Sequence, residues 1–353
     1  MRRVLSAGRR PGVAEALGAA LIFGASTPFS KQLGDGVNPV VVAGLLYLGS
    51  GIGLTTSLVL KPSTGRESSL KKSDLAPLLG VLVFGGVLAP ILLLVGLRTT
   101  PSATASLLLN LEAVFTALGA WVFAREHADR RIVLGMIVIV AGGALLSFDP
   151  GGGSGITAGS VAIAGACACW GIDNVVTRPL SIRDPRQIAA TKGIVAGSVN
   201  LLLGLAIGGH LPSLAKTLAT MLTGLLGYGL SLVLYVRAVR TLGTARTGAY
   251  YAAAPFVGAG IGLTWLREPV GMLFVPALLL MLLGLALHLT EQHGHSHAHV
   301  ATDHAHAHDH DDPHHLHGAD RPDQVGGSLE HRHETTEHSH DHTPDTHHRH
   351  DHQ

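Results

Sequence analysis

The chain has 353 residues, 47% of them hydrophobic and 14% charged, and its mean hydropathy is +0.36 although residues 291–353 are almost wholly polar. The formal charge of +1 conceals a split: residues 1–290 hold 22 Lys/Arg against 11 Asp/Glu, and residues 291–353 hold 3 against 13. So apolar a body excludes an ordinary soluble domain, and two cysteines, Cys167 and Cys169, exclude a disulfide framework and a CxxC metal site.

The basic start, Arg2, Arg3, Arg9 and Arg10, precedes a long apolar stretch with no short core ending in an A-x-A site, so it reads as the flank of a spanning helix rather than a signal peptide. A spanning helix needs about 20 mostly apolar residues. Such runs are predicted at 13–33, 39–60, 75–97, 102–124 and 131–148, then at 157–179, 187–208, 214–236, 245–266 and 270–290. The breaks carry turn chemistry: Gly34-Asp35-Gly36, Lys61-Pro62, the glycine-rich 149–155 stretch, Asp184-Pro185 and Glu268-Pro269.

The expected fold is therefore an all-α membrane protein of ten transmembrane helices. Its parts are a cytoplasmic segment 1–12, a five-helix unit 13–148, a linker 149–156, a second five-helix unit 157–290 and a disordered histidine-rich tail 291–353. With the amino terminus in the cytoplasm, the short cytoplasmic segments collect seventeen Lys/Arg and the opposite side three, Arg98, Lys216 and Arg267. That bias predicts an inner-membrane protein with both termini cytoplasmic.

The halves resemble each other. Slid by 142 residues, Arg98-Thr99 falls on Arg240-Thr241, Ala103 on Ala245, Ala117 on Ala259 and Arg125-Glu126 on Arg267-Glu268. Near the starts, Phe23-Gly24 with Ser30-Lys31 parallels Trp170-Gly171 with Thr177-Arg178. An odd number of spans per half makes the second copy enter the membrane from the other side, which predicts inverted repeats; two unrelated halves are the alternative.

These segments are similar to the EamA-type carriers of the drug/metabolite transporter superfamily. The likeness rests on Ala20 to Gly24 in the first helix, Leu107 to Thr116 with Ala124-Arg125-Glu126 in the fourth, Cys169-Trp170-Gly171 in the sixth, and Ala252 to Phe256 with Leu266-Arg267-Glu268 in the ninth. It spans residues 14–290 and departs from the family at Ala113, where proline is frequent. The resemblance implies export or exchange of amino acids, metabolites or drugs without ATP.

Ionisable groups at membrane depth are costly and mark functional or bundle-holding sites. Glu112 with Asn110 in the fourth helix, Asp173 and Asn174 in the sixth, and Lys192 in the seventh are the candidates for solute binding, with Lys192 or Arg178 as counter-charge; a purely structural ion pair is the competing reading. Trp170 and Tyr250 are the aromatic residues favoured for the cavity over Tyr228, Tyr235 and Tyr251. Ser26 to Ser30 around Pro28 form a polar, kinked stretch. Cys167 and Cys169 point to different helix sides and read as packing residues.

Twenty of the 23 histidines follow residue 292, among carboxylates and with almost no apolar residue, a composition that cannot fold alone. His293, His295, His297 and His299, then His304, His306, His308 and His310, recur at i, i+2, so an extended chain puts them on one side. Neutral imidazole there would bind Zn, Ni or Co. Their titration near pH 6.5 would carry the tail from about −10 toward about +10. His333 to His338 misses the HExxH zinc-protease pattern by one position, and no P-loop or nucleophile elbow is present, so no enzyme is predicted and no nucleic-acid partner is expected.

The reading that follows is a secondary-active carrier, an exporter by preference, of a small metabolite or amino acid, needing no cofactor. The tail would buffer or sense metal, and homodimerisation is left open. The alternatives are a carrier of divalent Zn, Ni or Co fed by the tail, and a membrane-anchored metal buffer or sensor that transports nothing.

Overall fold

The computed structural model describes residues 11–60, 70–124, 130–149, 155–177, 180, 183–242, 244–289, 294–299, 303–306, 329–332 and 336–341. It divides into a helical unit to Glu291 and the tail from Gln292. In the helical unit α1 is Pro11–Gly34, α2 Pro39–Leu60, α3 Lys72–Leu97, α4a Ser102–Leu108, α4b Leu111–Ala124 and α5 Arg130–Ser147. Then come α6 Ala158–Thr177, α7 Pro185–Ala206, α8 over 214–242, α9a Thr244–Tyr251, α9b Ala254–Thr264 and α10 Phe274–Leu289.

Among the described residues eight helices are long and apolar enough to cross a membrane, where the sequence predicts ten full spans; the segments Ala254–Thr264 and Phe274–Leu287 are apolar but shorter. The ninth is divided because Pro255 gives no donor to the preceding turn and starts a new helix at Ala254. The fourth is broken at Leu109-Asn110 without proline. Leu21, Val59, Phe123 and Leu279 lie on the outside, more than half exposed, an apolar surface suited to lipid and too large for a water-soluble monomer.

The core sits where α2, α3, α4a and α6 meet, around Leu46, Leu93, Leu97, Leu108 and Ile163. The largest helix pair is α2 on α7. Gly44 and Gly51 of α2 lie against Leu201 and Gly193, and Gly197 and Gly204 of α7 against Leu48 and Val41, so backbones approach where side chains are absent.

Two π-helical stretches interrupt long spans, Val81–Leu88 in α3 and Leu225–Leu230 in α8. Pro90 explains the first: it has no N–H to offer the carbonyl four residues earlier, Gly86, and the ladder passes to i→i+5, with Ala89 N–H donating to Phe84 O. Neighbouring helices satisfy the released acceptors. Tyr47 Oη donates to Gly85 O at 2.6 Å, and Asn200 Nδ2 donates to Gly86 O at 3.0 Å. In α8 the Ser231 hydroxyl donates back to Gly227 O.

Contacts recur between the halves. A β-carbon at Gly85 would run into Asp173 of α6, and one at Gly227 into Ser26 of α1. Gly24 of α1 abuts Val257 of α9b, and Gly171 of α6 abuts Phe115 of α4b; Gly142 of α5 meets Met281, and Gly284 of α10 meets Ile139.

Outside the helices, Phe148–Asp149 (β1) and Gly155–Ile156 (β2) form a two-residue antiparallel ladder flanking the linker. In the tail, Gly294–His299 (β3) pairs antiparallel with Thr336–Asp341 (β6), and Asp303–His306 (β4) with Leu329–Arg332 (β5). The sequence predicts disorder there, whereas these residues are paired; the i, i+2 repeat that suits chelation is also the period of a strand.

Candidate solute site

Asp173 and Asn174 are neighbours on α6, about 100° apart around the helix axis, so they address different partners. Asp173 is buried and accepts from Lys192 Nζ of α7 at 2.6 Å, with Thr177 Oγ1 at 3.5 Å. Asn174 turns to α4b, donating to Glu112 Oε1 and Thr116 Oγ1, both at 3.0 Å. Sequence reading thus placed Glu112, Asp173, Asn174 and Lys192 in one neighbourhood, and the structure joins them as two pairs on either side of α6.

The Asp173–Lys192 pair rests on the widened turn of α3. Only glycine at position 85 leaves room for the carboxylate, since a β-carbon would overlap it. With side chains 9% and 15% exposed, the pair is largely desolvated, and each charge requires the other. Glu112 differs: among the described residues no cationic side chain lies within salt-bridge distance of it, and Asn174 donates to its carboxylate.

Aromatic rings border this polar core. Tyr47 and Tyr228 lie 5.4 Å apart between centroids, Phe23 lies 6.1 Å from Tyr228 and 5.6 Å from Tyr251, and Tyr251 lies 4.9 Å from Tyr235. Tyr47 ties these rings to the level of Asp173, because its hydroxyl donates to Gly85 O and Gly85 lies against the Asp173 carboxylate. Trp170, 7% exposed, is buried four residues before Asn174 on α6.

Two expected residues stand elsewhere. Asn110 is 5% exposed at the α4 break, donating to Leu107 O at 2.8 Å, with Met281 Sδ of α10 at 3.8 Å. It closes the broken helix end and is apart from Glu112. Tyr250 is half-buried in α9a, and the ring cluster takes its neighbour Tyr251. Sequence reasoning overlooked Tyr47, Asn200 and Gly85. The signal for the first two was a lone polar side chain deep in an apolar run, and for Gly85 a Gly-Gly step before Pro90.

At the amino-terminal end of α3 a second buried pair ties Asp74 to Arg183, at 2.9 Å from Nε and 3.1 Å from Nη2. Arg183, one of the seventeen Lys/Arg that the sequence reading assigns to cytoplasmic segments, clamps the segment before α7. Among the described residues no three His, Cys, Asp or Glu side chains converge as a metal site. Of the tail histidines, His295, His297, His299, His304 and His306 lie in β3 and β4, where His295 is opposite His340, His297 opposite His338 and His304 opposite His331. His293, His308 and His310 lie outside the described residues, as do Arg178, Arg125 and Glu126.

Residues 10–148 and again residues 157–290 match the EamA-like transporter family. The chain is 28% identical over 273 residues to an uncharacterized transporter of Methanothermobacter thermautotrophicus, covering 72% of this chain and 79% of that one. It is 29% identical over 171 residues to a protein of Streptantibioticus cattleyicolor named "Probable terminal-alkyne amino-acid exporter", covering 48% of this chain and 57% of that one. A crystal structure at 16% identity shares the fold, with a TM-score of 0.58 over 79% of this chain and 96% of the other. The family and the two named relatives are transporters and not enzymes, in line with the sequence reading.

Proposed function

Since this chain belongs to the EamA-like transporter family, we propose that it is a secondary-active exporter of a small amino-bearing metabolite, an amino acid being the first choice. The carrying observation is Glu112: a carboxylate at membrane depth with an amide donor and no cationic partner among the described residues, in a bundle whose tyrosines Tyr47 with Tyr228 and Tyr235 with Tyr251 pack ring on ring. A solute ammonium group supplies the missing charge, and the rings take an apolar side chain. The amino-acid exporter among the relatives supports the same class.

The halves are read as inverted five-helix repeats. The matching contacts support this, Gly85 with Asp173 against Gly227 with Ser26 and Gly171 with Phe115 against Gly24 with Val257, as do the π-helical stretches in corresponding spans. Both termini are read as cytoplasmic, which the Lys/Arg bias supports. The tail is assigned as an accessory Zn, Ni or Co buffer, on its histidine content.

The test is counterflow in proteoliposomes with radiolabelled amino acids and, separately, zinc, for the full chain, for Glu112→Gln and for a chain ending at Glu291. Amino-acid flux that is lost in Glu112→Gln and kept without the tail supports the proposal. Zinc flux lost in both variants, with no amino-acid flux, replaces it by the metal-carrier reading.

A further inference from the structure

At the end of the bundle away from the start of α1, three helices meet at one carboxylate. Glu268, four residues beyond α9b, places Oε1 2.8 Å from Lys31 Nζ at the end of α1. Its Oε2 accepts from Ser102 N–H and Ser102 Oγ, both at 2.6 Å, and from Ala103 N–H at 3.2 Å. Those are the first free amides of α4a, whose N-cap position is Pro101, a residue with no side-chain acceptor. Lys31 completes the ring by donating to Thr100 O at 2.8 Å.

The backbone is bent to bring Glu268 there. Arg267 has φ +50°, the one positive-φ non-glycine residue among those described, and Glu268 N–H returns to Gly262 O at 3.2 Å. That bond spans seven residues, one more than the usual six-to-one closure of a helix end, and arginine takes the left-handed backbone that favours glycine, so strain accompanies the position of Glu268. Outside lies an open cavity of about 370 Å³ bordered by Lys31, Asp35, Arg98 and Glu268. Inside, α1, α4a and α9b close tightly: Gly258 lies against Ser106 and Gly24 O, and Ser106 is 1% exposed.

We infer that Lys31 and Glu268 are the positioning residues of a gate: their bridge, with Glu268 capping α4a, holds this end of the carrier shut, and its rupture opens the path from the cavity to Ser106 and the packed tyrosines. The bridge joins the first half (α1, α4a) to the second (α9b), so the halves cannot part at this end while it stands. Ser102 and Glu112 are ten residues apart on one broken span, about 15 Å at 1.5 Å per residue, so gate and solute site are different levels of one path. The inference rests on the carrier reading for its role in transport, and its geometry can be tested without any solute.

The test is labelling of Ser106→Cys, in a Cys167→Ala, Cys169→Ala background, by a membrane-impermeant thiol reagent applied to right-side-out and to inverted membrane vesicles. Glu268→Gln and Lys31→Gln should each accelerate labelling about tenfold or more, the effect of 1.4 kcal/mol on a two-state opening, and only from the side opposite the amino terminus. Lys31→Arg should keep the parental rate. Unchanged rates in both Gln variants overturn the gate, and so does equal acceleration from both sides, which is general loosening. If Glu268→Gln does not fold, Lys31→Gln decides alone, because it leaves the Glu268 cap on α4a in place. Loss of amino-acid flux with one-sided labelling intact would fault the solute assignment and leave the gate standing.

Discussion

Gly85→Ala isolates the dependence of the charged pair on the widened turn of α3. The added methyl has nowhere to go: it overlaps the Asp173 carboxylate and crowds Lys192 Nζ at 2.5 Å, both held by α6 and α7. Overpacking a fitted site costs about 1–3 kcal/mol, and separating a desolvated ion pair costs about 3–5 kcal/mol. The two are one event here, so about 3–5 kcal/mol is expected overall. The control is the same change in an Asp173→Ala, Lys192→Met background, where the obstacle and the charges are gone and Gly85→Ala should cost less than about 1 kcal/mol, the substitution otherwise being favourable in a helix. Unfolding of purified protein in one detergent, followed by denaturant titration, measures both. Equal costs in the two backgrounds would refute the claim that Gly85 exists to seat the pair.

Gly227→Ala, which presses on Ser26 but disturbs no charge, should cost only the overpacking, about 1–3 kcal/mol, and rank below Gly85→Ala in the same titration. Asn200→Leu removes the donor to Gly86 O, a carbonyl orphaned by Pro90, and should destabilise by about 1–3 kcal/mol; restoring the ladder with Pro90→Ala in the same chain should recover part of it. For Glu268, burial pushes its pKa up, but hydrogen bonds from Lys31 and Ser102, the Lys31 charge and the Ala103 amide outweigh it and hold it below the ordinary carboxylate value. Because the value is depressed, the stabilisation is complete above the ordinary glutamate value of about 4.3 and is lost only as pH falls through the lowered one. The ratio of Ser106→Cys labelling with Glu268 intact to that with Glu268→Gln at the same pH, which cancels the thiol's own titration, should therefore be flat from pH 7 to about pH 5, and a rise already near pH 6 would contradict the assignment. A chain ending at Glu291 should lose stoichiometric zinc and nickel binding in calorimetry while amino-acid counterflow persists; retained binding would move the metal site out of the tail.

Hydropathy alone located the helices because the membrane demands length and apolarity of each span, whatever it packs against. The limits of α2 and α7 were readable to within two residues from Pro39, Lys61 and Asp184-Pro185. Glu112, Asp173, Asn174 and Lys192 were likewise legible, since a charge in an apolar run needs a reason. Their pairing was not. Whether Lys192 answers Asp173 or Glu112 depends on how α6 is rotated between α3, α4b and α7, which Gly85 and Gly171 fix by contact.

The same division holds for the gate. Arg267-Glu268 stood out in the sequence through its likeness to Arg125-Glu126, yet nothing in one dimension joins residue 268 to residues 31 and 102. Composition determined a membrane bundle with a polar tail, and order along the chain determined two similar halves, because both are properties of segments. Which carboxylate is paired, which is free and which closes an end were decided only by the tertiary structure, because each depends on side chains from different helices meeting within about 3 Å, the reach of a hydrogen bond.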